Sequence, residues 1–125
     1  MSSTLAVALG GAVGAVCRFW LNIAVERFNG SNFPLGTFVV NVLGSFLIGF
    51  MFVLLMERLH LVDSWRPLVV VGFLGALTTF STFSLDALLL FQQGHYNTAL
   101  FYVFSSVVLC LFAAFAGMQI TRLLL

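Results

Sequence analysis

The sequence predicts an all-α membrane protein with four transmembrane helices, and two observations support that prediction. Hydrophobic residues make up 62% of the 125 residues and charged residues only 7%, with a mean hydropathy of +1.15. A soluble domain has about 25% charged residues. Apolar stretches of the roughly 20 residues that one membrane-spanning helix needs occur at 5–25, 33–56, 67–91 and 98–120. Because the connections are short, we expect residues 1–125 to form one transmembrane domain.

The charged and reactive side chains exclude several functional classes. The five basic residues are all arginines, too few and too dispersed for a nucleic-acid surface. His60 and His95 lie in separate connections and form no metal-ligand cluster. Cys17 and Cys110 fall inside apolar spans, where a cysteine usually serves as a small packing residue. With no phosphate-binding loop or catalytic triad in the sequence, we expect neither an enzyme nor a nucleic-acid partner.

The distribution of the arginines bears on how the chain inserts into the membrane. With four spans, both termini lie on the side of the second connection, which brings Arg58, Arg66 and Arg122 together. Arg27 lies on the other side, together with Arg18 if that side chain snorkels from its span. This balance gives almost no positive-inside bias. The chain could therefore insert in both orientations; the alternative is that one orientation prevails.

Three features of the first two spans have more than one interpretation. Gly10 and Gly14 have the spacing that lets two helices approach closely, which favours packing over pore lining. Arg18 lies within its span, where a charge is costly, so it is either an interfacial anchor or a group that attracts an anion into a vestibule. Asn41 lies deep in span two, where a carboxamide can join helices or offer its N–H donors to a passing anion.

The third span carries an unusually polar run, from Gly75 to Ser84, at bilayer depth. Hydrocarbon offers such residues no water, so they normally face protein or a wet cavity. Phe80 and Phe83 lie on one helical face of this run. If Gly75 and Thr78 interrupt the helix, their backbone carbonyls lose their partners and can coordinate a cation the size of Na⁺. We therefore expect the third helix to be interrupted near its middle.

Taken together, the polar side chains at bilayer depth offer donor protons, aromatic ring edges and no fixed charge. They are Asn41, Thr79, Phe80, Ser81, Thr82, Phe83 and, one turn apart on span four, Tyr102 and Ser106. A cation path would carry acidic rings or a carbonyl filter, and a proton-coupled exporter would carry a membrane-embedded carboxylate. The acidic residues map near span ends or in connections. Donor protons and the positive edges of phenyl rings suit a small, hydrated anion.

Three motifs make the sequence similar to the Fluc/CrcB fluoride-channel family. They are GAVGAVCR at 11–18, NVLGSF followed by Gly49 at 41–49, and GFLGALTTFSTFS at 72–84. The resemblance covers essentially the whole chain, and the third motif is the most specific. It implies a dual-topology, antiparallel homodimer in the bacterial inner membrane, a multi-pass protein of the lipid bilayer. It further implies two fluoride pores per dimer and a structural Na⁺ on the two-fold axis.

The resemblance also assigns roles to individual residues. Phe80 and Phe83 would be the pore phenylalanines and Asn41 the pore amide. The carbonyls of Gly75 and Thr78, from both subunits, would hold the Na⁺. The neighbouring hydroxyls and the polar track on span four would be Thr79, Ser81, Thr82, Tyr102 and Ser106, with Cys110 where a further hydroxyl is expected and Arg18 matching an arginine of unassigned role.

A passive fluoride channel is the function that we expect. An inside-negative potential drives an anion outward with about 2.3 kcal/mol per charge and 100 mV, so neither an ATP site nor a coupling carboxylate is needed. Two alternatives remain open from the sequence. One is a small dual-topology exporter of cationic drugs, and the other is a non-transporting membrane subunit in which the small residues serve only for packing.

Overall fold

The computed structural model describes residues 2–125, apart from the side chains of Val62 and Ser64. Within this range the chain is helical and forms no strand, which confirms the all-α prediction. In chain order the helices are α1 (Ser3–Glu26), α2 (Leu35–Phe52), a first π-helical segment (Val53–Arg58), α3 (Val62–Trp65), a second π-helical segment (Arg66–Leu74), α4 (Gly75–Leu77), α5 (Phe80–Gln92) and α6 (Tyr96–Leu124).

Four helical stretches are long and apolar enough to cross a membrane, as the sequence predicts. They are Ser3–Glu26, Leu35–Arg58, Arg66–Gln92 and Tyr96–Leu124. The predicted bounds lie within four residues of these, the largest difference being at the end of the fourth span, residue 120 against Leu124. The helix ends follow local rules. Ser2 caps α1 by accepting from the Leu5 N–H at 3.2 Å, which satisfies one of the donors that a helix start leaves unpaired.

A compact turn joins α1 to α2 and is held by side-chain hydrogen bonds. Glu26 accepts from the Gly36 N–H at 2.7 Å and from the Asn29 side chain at 2.9 Å. Asn29 also donates to the Phe33 carbonyl at 2.7 Å. At the C-terminal end of the third span, Gly94 has a φ of 83°, a left-handed conformation that suits glycine and stops a helix.

Glycines set the closest helix crossings. A Cβ added at Gly10 would collide with the Leu68 carbonyl, and one added at Gly14 would collide with the Phe73 carbonyl. These contacts join α1 to the second π-helical segment, so the interpretation of the Gly10 and Gly14 pair as a packing motif is confirmed. Gly49 of α2 makes an equally close approach to α6 at Ala114. Small residues let membrane helices pack backbone against backbone.

The third span is interrupted, but one residue expected at the interruption is helical. Thr78 (φ −89°, ψ 153°) and Thr79 (φ −151°, ψ 124°) have extended backbones between α4 and α5. Gly75 has helical angles (φ −63°, ψ −36°). The expectation that Gly75 takes part in the interruption is therefore wrong, whereas the interruption near mid-span is confirmed. Thr78 and Thr79 form the break, and the reason lies in what Asn41 contacts.

The interior consists of two small clusters, and much of the apolar surface faces outward. One cluster contains Phe83, Ala87, Leu90, Ala99 and Tyr102, and the other contains Val40, Leu74 and Leu77. Large apolar side chains along α1 and α6, among them Trp20, Phe104 and Phe112, are mostly exposed. Apolar surface of this extent is a mark of contact with lipid or with another protein.

Candidate ion pathway

Asn41 of α2 holds the break in the third span open. The Thr79 N–H donates to Asn41 Oδ1 at 2.8 Å, and Asn41 Nδ2 donates to the Thr79 carbonyl at 3.0 Å. This reciprocal pair fixes the orientation of the carboxamide, because only one orientation matches a donor to an acceptor twice. One N–H of Asn41 stays outside the pair. The deep carboxamide therefore joins two helices and still has a donor to offer.

The same arrangement releases two backbone carbonyls. In a continuous helix the N–H groups of Thr79 and Thr82 would bond to the carbonyls of Gly75 and Thr78. Instead the Thr79 N–H bonds to Asn41 Oδ1, and the Thr82 N–H bonds to Thr79 Oγ1 at 3.2 Å. Gly75 and Thr78 thus lack their usual intrahelical donors. Freed carbonyls at a broken membrane helix are typical ligands for an alkali cation.

Three hydroxyl groups lie together at the start of α5. Thr79 caps the helix through its hydroxyl, as a threonine in this position often does. Its Oγ1 donates to Thr82 Oγ1 at 3.3 Å and lies 3.0 Å from Ser81 Oγ. The three side chains predicted from the sequence as hydroxyl-bearing neighbours of the path are therefore in mutual contact.

Phe80 begins a row of aromatic rings that runs from the surface into the interior. The Phe80 side chain is 77% exposed, whereas Phe83 is only 8% exposed. Their ring centroids lie 5.3 Å apart. Phe83 in turn lies 5.2 Å from Tyr102, and Phe33 meets Tyr102 edge to face at 5.4 Å. Such arrangements place the positive rims of some rings against the faces of others.

A groove of about 380 Å³ runs along the break and the middle of α6; we call it the Phe80 groove. It is lined by Asn41, Ser45, Ile48, Thr78, Thr79, Phe80, Phe83, Ser106, Val107, Cys110 and Leu111. Ser106 is only 5% exposed, and among the described residues its hydroxyl has no hydrogen-bond partner. A buried hydroxyl without a partner is costly, which makes Ser106 a candidate donor for a bound ion.

A second cavity, of about 340 Å³, lies on the other side of the break; we call it the Arg18 cavity. Its walls are formed by Ala15, Arg18, Phe19, Asn22, Ile23, Thr37, Val40, Thr79 and Thr82. Thr79 lines both cavities, so the break forms the wall between them. Within the described part of the chain, no carboxylate lies within salt-bridge distance of Arg18, and Arg18 is one of the residues that line this cavity.

The residues predicted for the path are brought together only in part. Phe80, Phe83, Asn41, Thr79 and Ser106 line the Phe80 groove, and Arg18 and Thr82 line the Arg18 cavity. Ser81 is exposed and lines neither. Tyr102 is fully buried beneath the groove, with its ring against Phe83. Their roles in ion passage stay predictions.

Two residues lie near the path in positions that the sequence did not predict. Asp86, expected with the other acidic residues near a span end or in a connection, is half-buried more than one turn before α5 ends and accepts from the Tyr102 hydroxyl at 3.3 Å. Its position three residues after Phe83 places it on the same helical face, a signal that the sequence contains. Thr37 is buried and lines the Arg18 cavity; it precedes Asn41 by four residues, so the i, i+4 spacing of polar residues along α2 is a signal that the sequence contains.

Four spans, a broken third helix and a groove of uncharged donors define a multi-pass membrane protein of the channel type. The chain belongs to the CrcB family, since the family model described as "CrcB-like protein, Camphor Resistance (CrcB)" matches residues 5–118. This confirms the resemblance noted in the sequence. The family is one of ion channels and not of enzymes.

Individual relatives are similar over nearly their whole length. The "Fluoride-specific ion channel FluC" of Hahella chejuensis is 54% identical over 119 residues, which cover 95% of this chain and 94% of that protein. The protein of the same name from Magnetococcus marinus is 52% identical over 118 residues, or 94% and 96% of the two chains. That of Shewanella frigidimarina is 47% identical over 120 residues, 96% of each.

Proposed function

We propose that this chain is a fluoride-selective, passive anion channel. The observation that carries the proposal is the Ser106 hydroxyl in the Phe80 groove, which is buried and has no hydrogen-bond partner among the residues that the structure describes. A hydroxyl donor that has no partner in the described fold is suited to replace one water molecule in the hydration shell of a passing ion. The names of the relatives, which describe fluoride-specific ion channels, support the same ion.

The composition of the groove favours a small anion. Its polar lining consists of hydroxyl, thiol and amide groups, and none of its lining residues is acidic or basic. Hydroxyl and amide protons replace the hydration shell of an anion. Phe80 and Phe83 add ring edges, which carry the positive part of the aromatic quadrupole. An anion of small radius gains most from such donors because the attraction grows as the distance shrinks.

The assembly that we propose is a dual-topology, antiparallel homodimer with two pores. Phe80 is 77% exposed in a single chain, so one copy encloses its groove incompletely. A second copy in the opposite orientation would cover it, and two-fold symmetry would then create two equivalent paths. The nearly even division of the arginines between the two sides supports insertion in both orientations. The membrane that fits this role is the bacterial inner membrane.

We also propose a structural Na⁺ at the break. The fit is chemical: the carbonyls of Gly75 and Thr78 lack their usual intrahelical donors, and unwound carbonyls coordinate Na⁺ in other membrane proteins. Two carbonyls are too few for a complete site, so a second copy would supply the rest. When bound, the ion would contribute a fixed positive charge beside Thr79, where Asn41 already holds the backbone in place.

Flux from liposomes tests the proposed function. The purified chain is reconstituted into vesicles loaded with potassium fluoride, and a K⁺ ionophore is added to set the voltage. We expect prompt fluoride efflux and, from vesicles loaded with chloride, efflux close to that of protein-free vesicles. Fluoride efflux that requires a proton gradient would favour a coupled exporter, and no efflux of either ion would favour a non-transporting subunit. Equal release of both halides would contradict selectivity.

A further inference from the structure

Cys110 of α6 occupies an unusual place for a membrane cysteine. It lines the Phe80 groove, and it follows Ser106 by four residues, so the two side chains lie one above the other on the same helical face. The sequence contains two cysteines. The other, Cys17, packs against the apolar cluster of Val40, Leu74 and Leu77. Both thiols are half-buried, but Cys110 lines the groove whereas Cys17 packs against a core cluster.

We propose that the Cys110 thiol is a covalent modification site inside the ion path, where a small, uncharged sulfenylating electrophile stops anion flux. The inference rests on the proposed channel function. Two independent observations support it. The thiol is half-buried, hence partly accessible, and lines the groove. The neighbouring Ser106 hydroxyl is buried in the same groove and has no partner in the described part of the chain, which supports a ligand-binding role for this stretch of α6.

The chemistry is a thiol–disulfide type of exchange. With methyl methanethiosulfonate, the Cys110 sulfur, as thiolate, attacks the sulfenyl sulfur of the reagent. The new S–S bond joins Cys110 to a methylthio group. The S–S bond of the reagent breaks, methanesulfinate leaves with the electron pair, and the thiol proton passes to the solvent. No separate oxidant is required, because the reagent itself supplies sulfur at the oxidation level that a disulfide needs.

The modification changes the groove in two ways. It removes the only S–H donor in the groove lining, and it places a methyl group next to the Ser106 hydroxyl. The groove measures about 380 Å³ and includes side chains on both faces of the path, so added bulk at Cys110 narrows the route directly. A dehydrated fluoride ion then passes a stretch of the groove that has one donor fewer and one methyl group more. The free-energy barrier to its passage is therefore higher.

The experiment uses the reconstituted chain with the variant Cys17→Ser, which leaves Cys110 as the sole thiol. Proteoliposomes are treated with methyl methanethiosulfonate at about pH 8.5, where a free thiol is partly ionised. Fluoride efflux and intact mass are then measured on the same sample. We expect the gain of one methylthio group per chain and a fall in flux of about tenfold or more, which corresponds to about 1.4 kcal/mol at the barrier, because the added group narrows the groove and the weak S–H donor is lost.

A reducing agent should reverse both changes in the same sample, restoring the original mass and flux. In the Cys110→Ser variant, the rate of fluoride efflux after treatment should equal the rate of the same variant before treatment. Labelling of Cys110 with unchanged flux would overturn the inference, as would failure to label the folded protein when the unfolded protein labels fully. Absence of fluoride flux before treatment is a different result, because it contradicts the channel function itself and removes the path that the thiol would block.

Discussion

Ser105 and Ser106 are adjacent on α6, but their hydroxyl groups have opposite roles. The Ser105 hydroxyl bonds to its own helix at the Phe101 carbonyl, the common behaviour of serine in a membrane helix. The Ser106 hydroxyl has no partner within the described residues and lines the Phe80 groove. The Ser106 hydroxyl is thus not bonded back to its own helix, unlike that of Ser105.

From this difference we predict that Ser106→Ala lowers fluoride flux without lowering the free energy of unfolding. Removing a buried hydroxyl that has no partner should leave the free energy of unfolding unchanged or raise it by about 1 kcal/mol. Fluoride flux should fall, because the anion loses a donor. Thermal unfolding in detergent and liposome efflux measure the two quantities. Ser105→Ala is the matched control, with little expected change in flux; equal flux in the Ser106 variant and the wild type would contradict the proposed role.

Phe80 and Phe83 differ in the structural cost of losing the ring. Phe80 is 77% exposed and Phe83 is 8% exposed within the core cluster. Phe80→Ile should therefore abolish fluoride flux with no change in the melting temperature of the monomer fold. Phe83→Ile should abolish flux and also lower the free energy of unfolding by about 1–2 kcal/mol, because the buried site is reshaped. Wild-type flux in both variants would rule out a role for the ring edges.

At the scale of elements, the third span depends on one side chain of its neighbour. Asn41→Ala leaves the Thr79 N–H and carbonyl without the partners seen at 2.8 and 3.0 Å. We expect a loss of about 1–3 kcal/mol in the free energy of unfolding, measured by thermal or denaturant melting in detergent, together with loss of flux. Ser84→Ala is the control, since the Ser84 hydroxyl only bonds back to the Phe80 carbonyl of its own helix. Equal stability of the two variants would contradict this account of the break.

Adjacent glycines in α1 provide a second test of how the elements pack. A Cβ at Gly10 would overlap the Leu68 carbonyl, whereas one at Gly11 would lie 4.0 Å from the nearest carbonyl, that of Gly72. Gly10→Ala should therefore push α1 away from the second π-helical segment and lower the melting temperature markedly. Gly11→Ala should leave it unchanged or raise it slightly, because alanine is the better helix former. Equal melting temperatures would show that the crossing tolerates a methyl group.

The elements also show which features of the fold can be predicted from the sequence. The four spans, the Gly10 packing and the interruption of the third span follow from hydropathy and small-residue spacing, which are local. Thr78 was expected at the break, but the place of Thr79 there instead of Gly75 was not, because it depends on Asn41, 38 residues away from Thr79 along the chain. The π-helical ends of spans two and three were not predicted either, since a shift from i−4 to i−5 hydrogen bonds leaves no mark in apolar periodicity.

For the site, the residue types were predictable but their grouping was not. Asn41, Phe80, Phe83, Thr79 and Ser106 could be selected because they are polar or aromatic at bilayer depth, and they line one groove. The burial of Tyr102 and its bond to Asp86 depend on how α5 and α6 pack. The separate Arg18 cavity depends on how α1 and α2 meet the start of α5. Such long-range placement is set by the whole bundle rather than by any one helix.

For the whole molecule, topology is the property to test. If the chain inserts in both orientations, an epitope tag on either terminus should be accessible from both sides of the membrane across the population. Labelling with a membrane-impermeant reagent, in intact cells and in inverted vesicles, measures the two fractions. Single-sided labelling would contradict dual topology. Adding several arginines to the first connection should then shift the population towards one orientation and reduce flux, because antiparallel pairs require both.

The break at Thr78 and Thr79 also has an electrostatic consequence for the molecule as a whole. A helix carries partial positive charge at its amino end and partial negative charge at its carboxyl end, about half a unit each. Since α4 ends and α5 begins at this break, both poles are exposed at mid-membrane, a few ångströms apart. One discontinuity thus provides a negative pole for a cation and a positive pole for an anion, where an ionised side chain would cost several kcal/mol.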